Sequence, residues 1–148
     1  METIQKDPLT KDQKQWLLEY TINHYTTENR AASARSGCSY AMCDGRKCAI
    51  GLHLTQASLQ VIGSAWIGDE MRVIASDGGD PLKIIIDNEI VEMHLDDADF
   101  YSDIQHLHDT RGCWNDKGIS EYGKVYVNAT VKDFKLRDPF AKKKCLQQ

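Results

Sequence analysis

The fold of this chain is decided by one stretch, Asp97-Ala-Asp-Phe-Tyr-Ser-Asp-Ile-Gln-His-Leu-His-Asp109. An aspartate at its start is a preferred helix cap, because its carboxylate accepts hydrogen bonds from otherwise unpaired backbone N–H groups. Phe100, Ile104 and Leu107 then recur at the spacing that brings side chains to one face of a helix. The stretch therefore predicts an amphipathic helix over residues 98–109, with His108 beside its apolar face.

Two further helices and a hairpin are predicted around it. Thr10 and Gln13 form a capping box ahead of apolar rows that predict a helix over residues 11–28. Ser120 opens a last helix that extends to about residue 134. The dipeptide Asp44-Gly45 predicts a β-hairpin over residues 39–47, since both central residues of such a turn take positive φ.

The other segments carry weaker signals. Thr55 caps a short predicted helix over residues 55–62, and residues 71–75 read as a strand. Residues 82–93 favour a strand through three consecutive isoleucines, but a helix is not excluded. We therefore expect an α+β fold, a helix-dominated single domain over residues 1–148 with a small β-hairpin. Residues 1–9 and 138–148 are expected to be loose termini.

The sequence argues against membranes and nucleic acids as partners. No apolar run approaches the ~20 residues that a membrane-spanning helix needs. The N-terminus lacks the apolar core of a signal peptide, so we expect the protein in the cytoplasm. Basic residues are not interleaved with aromatic ones in the way that typifies nucleic-acid binding.

The net charge of −4 hides a strong asymmetry. Between Ile84 and Thr110 there is no lysine or arginine, although this segment holds eight acidic residues. Such a segment attracts basic protein surfaces; its other interpretation is an ordinary solvated face. The candidate binding residues within and just after it are Asp96, Asp97, Asp99, Asp103, His106 and Trp114, the last two as the walls of a small-molecule pocket.

The cysteines offer a metal site as one interpretation. Five cysteines without an export signal are expected to be reduced. Cys38, Cys43, Cys48 and His53 are four soft ligands, but zinc sites bring their ligands in closely spaced pairs, and this spacing is even. Two of these ligands combined with His106 or His108 and Cys113 would suit zinc better. No metal or cofactor is therefore assigned, and zinc stays an alternative to thiols that are simply small buried hydrophobes.

A cysteine nucleophile is the second alternative. Cys48 follows Arg46 and Lys47 and precedes a predicted helical turn, and both features stabilise a thiolate. His108 would be its base, and Asp109 or Asp103 would orient that base. The structural interpretation is that His108 belongs to the core and that Trp114 closes the core against the same helix.

Three motifs resemble a known group of proteins. They are Cys38-x-Tyr40, Gly45-x-x-Cys48-Ala49-x-Gly51 and Ile104-Gln105-x-x-His108-Asp109, followed by Trp114-Asn115 and Gly118-Ile119-Ser120-Glu121. In this order they resemble small uncharacterised proteins of tailed phages and prophages, over residues 15–135. The resemblance implies a phage-encoded accessory protein acting in the host cytoplasm, and it implies no activity.

Three functional hypotheses follow. The first is a non-catalytic accessory protein that binds and modulates a host component, such as a defence or regulatory protein, through its acidic surface or a small pocket. The second is a cysteine-dependent hydrolase or transferase that uses Cys48, His108 and Asp109. The third is a zinc-binding module of cysteines and histidines.

Overall fold

The computed structural model describes residues 3–28, 32–33, 37–38, 49–58 and 82–141. They form an α+β, helix-dominated single domain with small β-sheets, as predicted. The hairpin predicted over residues 39–47 and the strand predicted over 71–75 lie outside the described residues. The elements are β1 (Ile4–Gln5), α1 (Lys11–His24), β2 (Ala32–Ser33), β3 (Gly37–Cys38), β4 (Lys83–Ile86), β5 (Glu89–Glu92), α2 (Ala98–Asp109), β6 (Trp114–Asn115), β7 (Gly118–Ile119) and α3 (Glu121–Phe134).

Helix α1 begins as predicted and ends earlier. The Thr10 hydroxyl accepts from the Gln13 N–H at 3.1 Å, and the Gln13 side chain accepts from the Thr10 N–H at 2.9 Å. The helix ends directly before Tyr25, and not near residue 28, because Tyr25 adopts an extended backbone and is 1% exposed. Its ring packs edge-on against His108 and Trp114, at centroid distances of 4.7 and 5.9 Å. The tertiary contacts of one side chain thus set the end of α1.

The ambiguous segment 82–93 is a β-hairpin. Strands β4 and β5 pair antiparallel around Asp87 and Asn88, whose φ angles are 49° and 69°. Asp and Asn tolerate this left-handed conformation better than most residues, and paired positive φ angles suit a two-residue hairpin turn. Strand β4 buries its alternate residues Ile84 and Ile86, as a strand with one face on the core must.

The N-terminal residues are held by this hairpin, in contrast to the loose segment predicted over residues 1–9. Strand β1 pairs in parallel with β5, which gives the sheet order β1-β5-β4. Leu9 is buried, and its N–H donates to Asp97 Oδ2 at 2.8 Å. Backbone pairing and one buried hydrogen bond therefore fix this segment, because buried backbone groups need partners.

The chain after α3 returns to α1. The Gln15 side chain accepts from the Arg137 N–H at 2.8 Å and donates to the Arg137 carbonyl at 3.0 Å. Phe140 packs against the core, and Lys124 Nζ lies 5.5 Å from the centre of its ring. The start of the segment predicted to be loose over residues 138–148 is therefore packed, and residues 142–148 lie outside the described residues.

Helix α2 has the predicted bounds and supplies the centre of the core. Phe100, Ile104 and Leu107 are each no more than 1% exposed, and His108 is fully buried. The helix packs against both α1 and α3. Trp114 closes the core against it as predicted, and its indole N–H donates to the Leu107 carbonyl at 2.9 Å. Among the described residues, no helix is long and apolar enough to cross a membrane.

Helix α3 matches the prediction from Ser120 to residue 134. The Ser120 hydroxyl accepts from the Gly123 N–H at 3.1 Å, and Lys135 ends the helix in the left-handed conformation. Gly123 lies against the backbone that precedes β6, where a Cβ would meet the Cys113 carbonyl oxygen. The absence of a side chain at this position therefore allows α3 to approach that backbone.

Replacing Gly123 with alanine is expected to destabilise the protein, although alanine is the better helix former by about 1 kcal/mol. The added Cβ would meet the Cys113 carbonyl and lie 2.5 Å from Ile119 Cγ1. Overpacking costs roughly 1–3 kcal/mol, and a clash with backbone belongs to the upper half of this range, so after the helix-propensity gain we expect a net loss of about 1–2 kcal/mol. Chemical denaturation measures the change. Asn128→Ala, at an exposed position of the same helix, is the control and should be neutral or slightly stabilising. Equal stability of the Gly123→Ala variant and the parent would contradict this packing.

Candidate functional site

Four of the six predicted binding residues form one stripe along the outer side of α2 and the helical turn that precedes it. Asp96, Asp99, Asp103 and His106 follow one another at intervals of three or four residues, which places them along one side of a helix. Asp96, Asp99 and His106 are exposed, and Asp103 is half-buried. We call these four residues the acidic stripe. Asp96 and Asp99 are thus open to solvent, and a role of the acidic stripe in binding stays a prediction.

The other two predicted binding residues belong to the core. Asp97 is 2% exposed and binds the Leu9 N–H; burial raises the pKa of its carboxyl, and that hydrogen bond partly offsets the rise. Trp114 is 5% exposed and turned towards the Leu107 carbonyl. The predicted surface role of Asp97 is therefore wrong, because its carboxylate holds the N-terminal segment. Trp114 is likewise a core residue, because its indole packs inside the protein, and a small-molecule pocket near His106 and Trp114 stays a prediction.

A groove borders the acidic stripe, and the sequence did not predict it. This α2–α3 groove encloses about 350 Å³. Tyr122 and Val125 are 59% and 65% exposed in it, which is unusual for large apolar side chains on one face of a helix. Its walls include Asp103 of α2 and, from α3, Tyr122, Val125, Tyr126, Ala129 and Asp133.

The electrostatics of the groove are set by two carboxylates. Burial raises the pKa of Asp103 most, and the negative charge of Asp133 raises it further. His106 acts in the opposite direction, and Asp99 adds a smaller increase. A cation placed between these two carboxylates would favour their charged forms. The groove therefore combines exposed apolar side chains with two carboxylates, those of Asp103 and Asp133, that would attract a positively charged group.

The histidine and aspartate of the predicted catalytic trio are in contact. His108 Nδ1 lies 2.9 Å from Asp109 Oδ1, and the Gln105 amide donates to the same oxygen at 2.8 Å. A carboxylate at Nδ1 fixes the orientation and tautomer of the ring. Asp109, and not Asp103, is thus the residue that orients His108. Cys48 lies outside the described residues, so the trio as a whole stays a prediction.

The zinc hypothesis rests largely on residues that are not described. Cys43 and Cys48 lie outside the described residues, and only the backbone is described for Cys38. His53 and Cys113 are both buried. Within the described part of the chain, no three His, Cys, Asp or Glu side chains are grouped so as to hold a metal ion.

His53 lies instead in an aromatic cluster on the outer face of α1. Its ring centre is 5.4 Å from that of Trp16 and 4.7 Å from that of Tyr20, which itself stacks on His24 at 5.6 Å. His53 is 8% exposed, and among the described residues its Nε2 has no hydrogen-bond partner. Burial lowers its pKa to about 4, and the neighbouring His24 contributes to the decrease. A neutral imidazole is therefore part of the folded structure.

The folded state should lose stability as the pH falls from 6.5 towards 4, because the unfolded chain protonates His53 more readily. The contribution of His53 is complete above pH 6.5 and disappears as the pH approaches its folded pKa of about 4. The difference between the two pKa values corresponds to about 3 kcal/mol. His53→Phe keeps a ring beside Trp16 and Tyr20 and should flatten this part of the profile. Free energies of unfolding at about pH 7 and about pH 4.5 test this.

Asn128→Ala, at an exposed position without a titratable group, is the control. Its pH profile should follow that of the parent protein. Parallel profiles for the parent and the His53→Phe variant would contradict the assignment of acid sensitivity to His53. The acid sensitivity would then arise from other titrating groups.

Comparison with known proteins does not extend this picture. No family model matches the chain, and searches of curated proteins and of solved structures returned no significant match. The resemblance to tailed-phage proteins therefore stays a prediction, and the function has to be argued from the acidic stripe, the α2–α3 groove and the His108–Asp109 pair.

Proposed function

We propose that this chain is a non-catalytic accessory protein of the tailed-phage type, which binds and modulates a basic host protein in the host cytoplasm. The observation that carries the proposal is the acidic stripe, whose carboxylates lie on the outer side of a helix that is otherwise buried. A rigid helix holds these charges at fixed spacings. Fixed charge of one sign steers and orients a partner of the opposite sign.

Two features of the same face support protein binding over simple solvation. The stripe lies in a segment without lysine or arginine from Ile84 to Thr110, so its charge is not neutralised by neighbours along the sequence. The exposed Tyr122 and Val125 lie in the adjoining α2–α3 groove. Protein interfaces combine an apolar centre that is rich in aromatic side chains with a polar rim. Charge and apolar surface occur here in that arrangement.

The proposal predicts binding that depends on the stripe and on salt. Asp96→Lys/Asp99→Lys should reduce retention of host proteins by about tenfold or more, because it replaces attraction with repulsion at a basic surface. The measurement is capture from a bacterial host lysate on immobilised protein, quantified by mass spectrometry at about 50 mM and about 500 mM salt. Retention by the parent protein should fall steeply at the higher salt.

Glu28→Lys/Asp116→Lys is the matched control, with the same change in net charge at two exposed positions away from the stripe. It should retain the same proteins as the parent. Equal loss in both variants would show that only net charge matters, and the absence of any salt-sensitive protein retained by the parent would refute the proposal.

A cysteine-dependent hydrolase or transferase is the second candidate, and the 2.9 Å contact between His108 and Asp109 favours it. This pair has the orientation that a general base needs, with the carboxylate at Nδ1. Against it, His108 is fully buried. A buried, hydrogen-bonded histidine also serves a core, as the edge-on contact of its ring with Tyr25 illustrates.

If Cys48 is the nucleophile, it should alkylate rapidly at about pH 6, while an unactivated thiol has a pKa of about 8.5 and reacts slowly there. Iodoacetamide labelling followed by peptide mass spectrometry ranks the five cysteines. Cys48→Ser should remove the fast phase, and His108→Gln should slow it, since neutral glutamine cannot stabilise the thiolate. Uniform slow labelling of all five cysteines in the native protein would eliminate the enzymatic hypothesis and leave the binding hypothesis intact.

A further inference from the structure

The outward face of α3 has the pattern of a helix that packs against another helix. Tyr122, Val125, Tyr126 and Ala129 recur at intervals of three and four residues along the α2–α3 groove. A different face of α3, with Gly123 and Val127, is buried against the body of the protein. Helix α3 therefore has two packing faces, and one of them is open.

The dimensions of this face suit a short helix. From Tyr122 to Asp133 this open face of α3 covers about three turns, or about 16 Å at 1.5 Å per residue. The backbone hydrogen bonds of α3 are satisfied within the helix, so a docked segment has to bind through side chains. Helices recognise helices in this way, with apolar residues at intervals of three and four entering the spaces between those of the partner.

The charges around the groove specify the polar residues of the partner. Asp103 on α2 and Asp133 on α3 both line it, and the negative charge of Asp133 opposes ionisation of Asp103. The nearby Lys124 is directed elsewhere: its Nζ lies 3.0 Å from Glu121 Oε2 and 5.5 Å from the ring centre of Phe140. A lysine or arginine of a docked helix, placed between Asp103 and Asp133, would be attracted by both carboxylates.

We propose that the α2–α3 groove binds an amphipathic helix of a partner protein, with apolar residues on Tyr122, Val125 and Ala129 and a basic residue between Asp103 and Asp133. This deepens and rests on the proposed function, since it names the kind of segment that the basic partner presents. A second copy of this chain is a poorer occupant, because it would bring the same carboxylates against each other and like charges oppose association.

The test uses the full chain and a synthetic helical peptide of about 15 residues, with leucines at intervals of three and four and lysines and arginines beside them. One control peptide replaces the basic residues with glutamate. A second keeps the composition but moves the leucines so that no apolar face forms. Titration followed by backbone amide NMR should shift the signals of Tyr122, Val125 and Ala129, and neither control should do so.

Two protein variants and a matched control complete the test. Val125→Glu should weaken peptide binding by at least about tenfold, because it places a charge in the apolar centre of the interface. Asp103→Asn/Asp133→Asn should weaken it by about threefold to tenfold and reduce its salt dependence. Asn128→Glu adds the same charge as Val125→Glu at an exposed position of α3 that does not line the groove, and should bind like the parent. Amide spectra of the free variants verify that each remains folded.

Five results would overturn the inference. Shifts confined to Asp96, Asp99 and their neighbours would leave the proposed acidic binding intact and remove the groove from it. Equal affinity of the Val125→Glu and Asn128→Glu variants for the peptide would also remove the groove from the binding surface. So would equal binding of the basic peptide and its glutamate control. Self-association of the free protein that Val125→Glu abolishes would identify a second copy as the occupant. Absence of peptide binding together with absence of salt-sensitive capture from lysate would refute the inference and the proposed function.

Discussion

Burial of one side of α2 is the constraint on which the rest of the structure depends. Phe100, Ile104 and Leu107 are almost completely removed from solvent, and each such side chain contributes roughly 1.5–3 kcal/mol relative to an exposed position. The opposite side of the same helix carries the acidic stripe. Because a helix rotates as a unit, the packing that buries these three residues also fixes the direction in which Asp99 and Asp103 point. The orientation of α2 about its own axis thus determines both which side chains enter the core and where the carboxylates lie on the surface.

Several residues whose side chains could bind a ligand or take part in catalysis belong to this core and not to a surface site. Asp97 accepts the hydrogen bond that holds Leu9, and the Trp114 indole donates to a carbonyl of α2. The buried His53 stays neutral, since a charged imidazole would lose its hydration. Aspartate, tryptophan and histidine are often recruited to binding sites, but here a buried polar atom first needs a partner or a neutral state. For Asp97 and Trp114, this requirement explains why they are separated from the acidic stripe.

The two functional hypotheses place their chemistry on opposite sides of α2. The acidic stripe and the α2–α3 groove lie outside, where charge and apolar surface are available to a partner. The His108–Asp109 pair lies at the end of the helix, with His108 fully buried. A binding protein needs accessible surface, whereas an enzyme needs access of the substrate to a reactive group. The exposure of Tyr122 and Val125 favours the first, because large apolar groups left in solvent are the usual sign of an interaction site.

The sequence by itself determined the three helices, because capping residues such as Thr10 and Ser120 and the 3.6-residue apolar period are local signals. It also determined that α2 carries carboxylates along its length. Only the tertiary structure decided which carboxylate faces inwards, since Asp97 and Asp99 differ by two positions and their environments depend on distant residues such as Leu9. The same holds for the groove: α3 has two apolar stripes, and only its packing against the body of the protein shows that the one with Tyr122 and Val125 is open. The end of α1 at Tyr25 and the burial of Trp114 were likewise decided by contacts between residues far apart in the chain, such as that between these two rings, which no local pattern records.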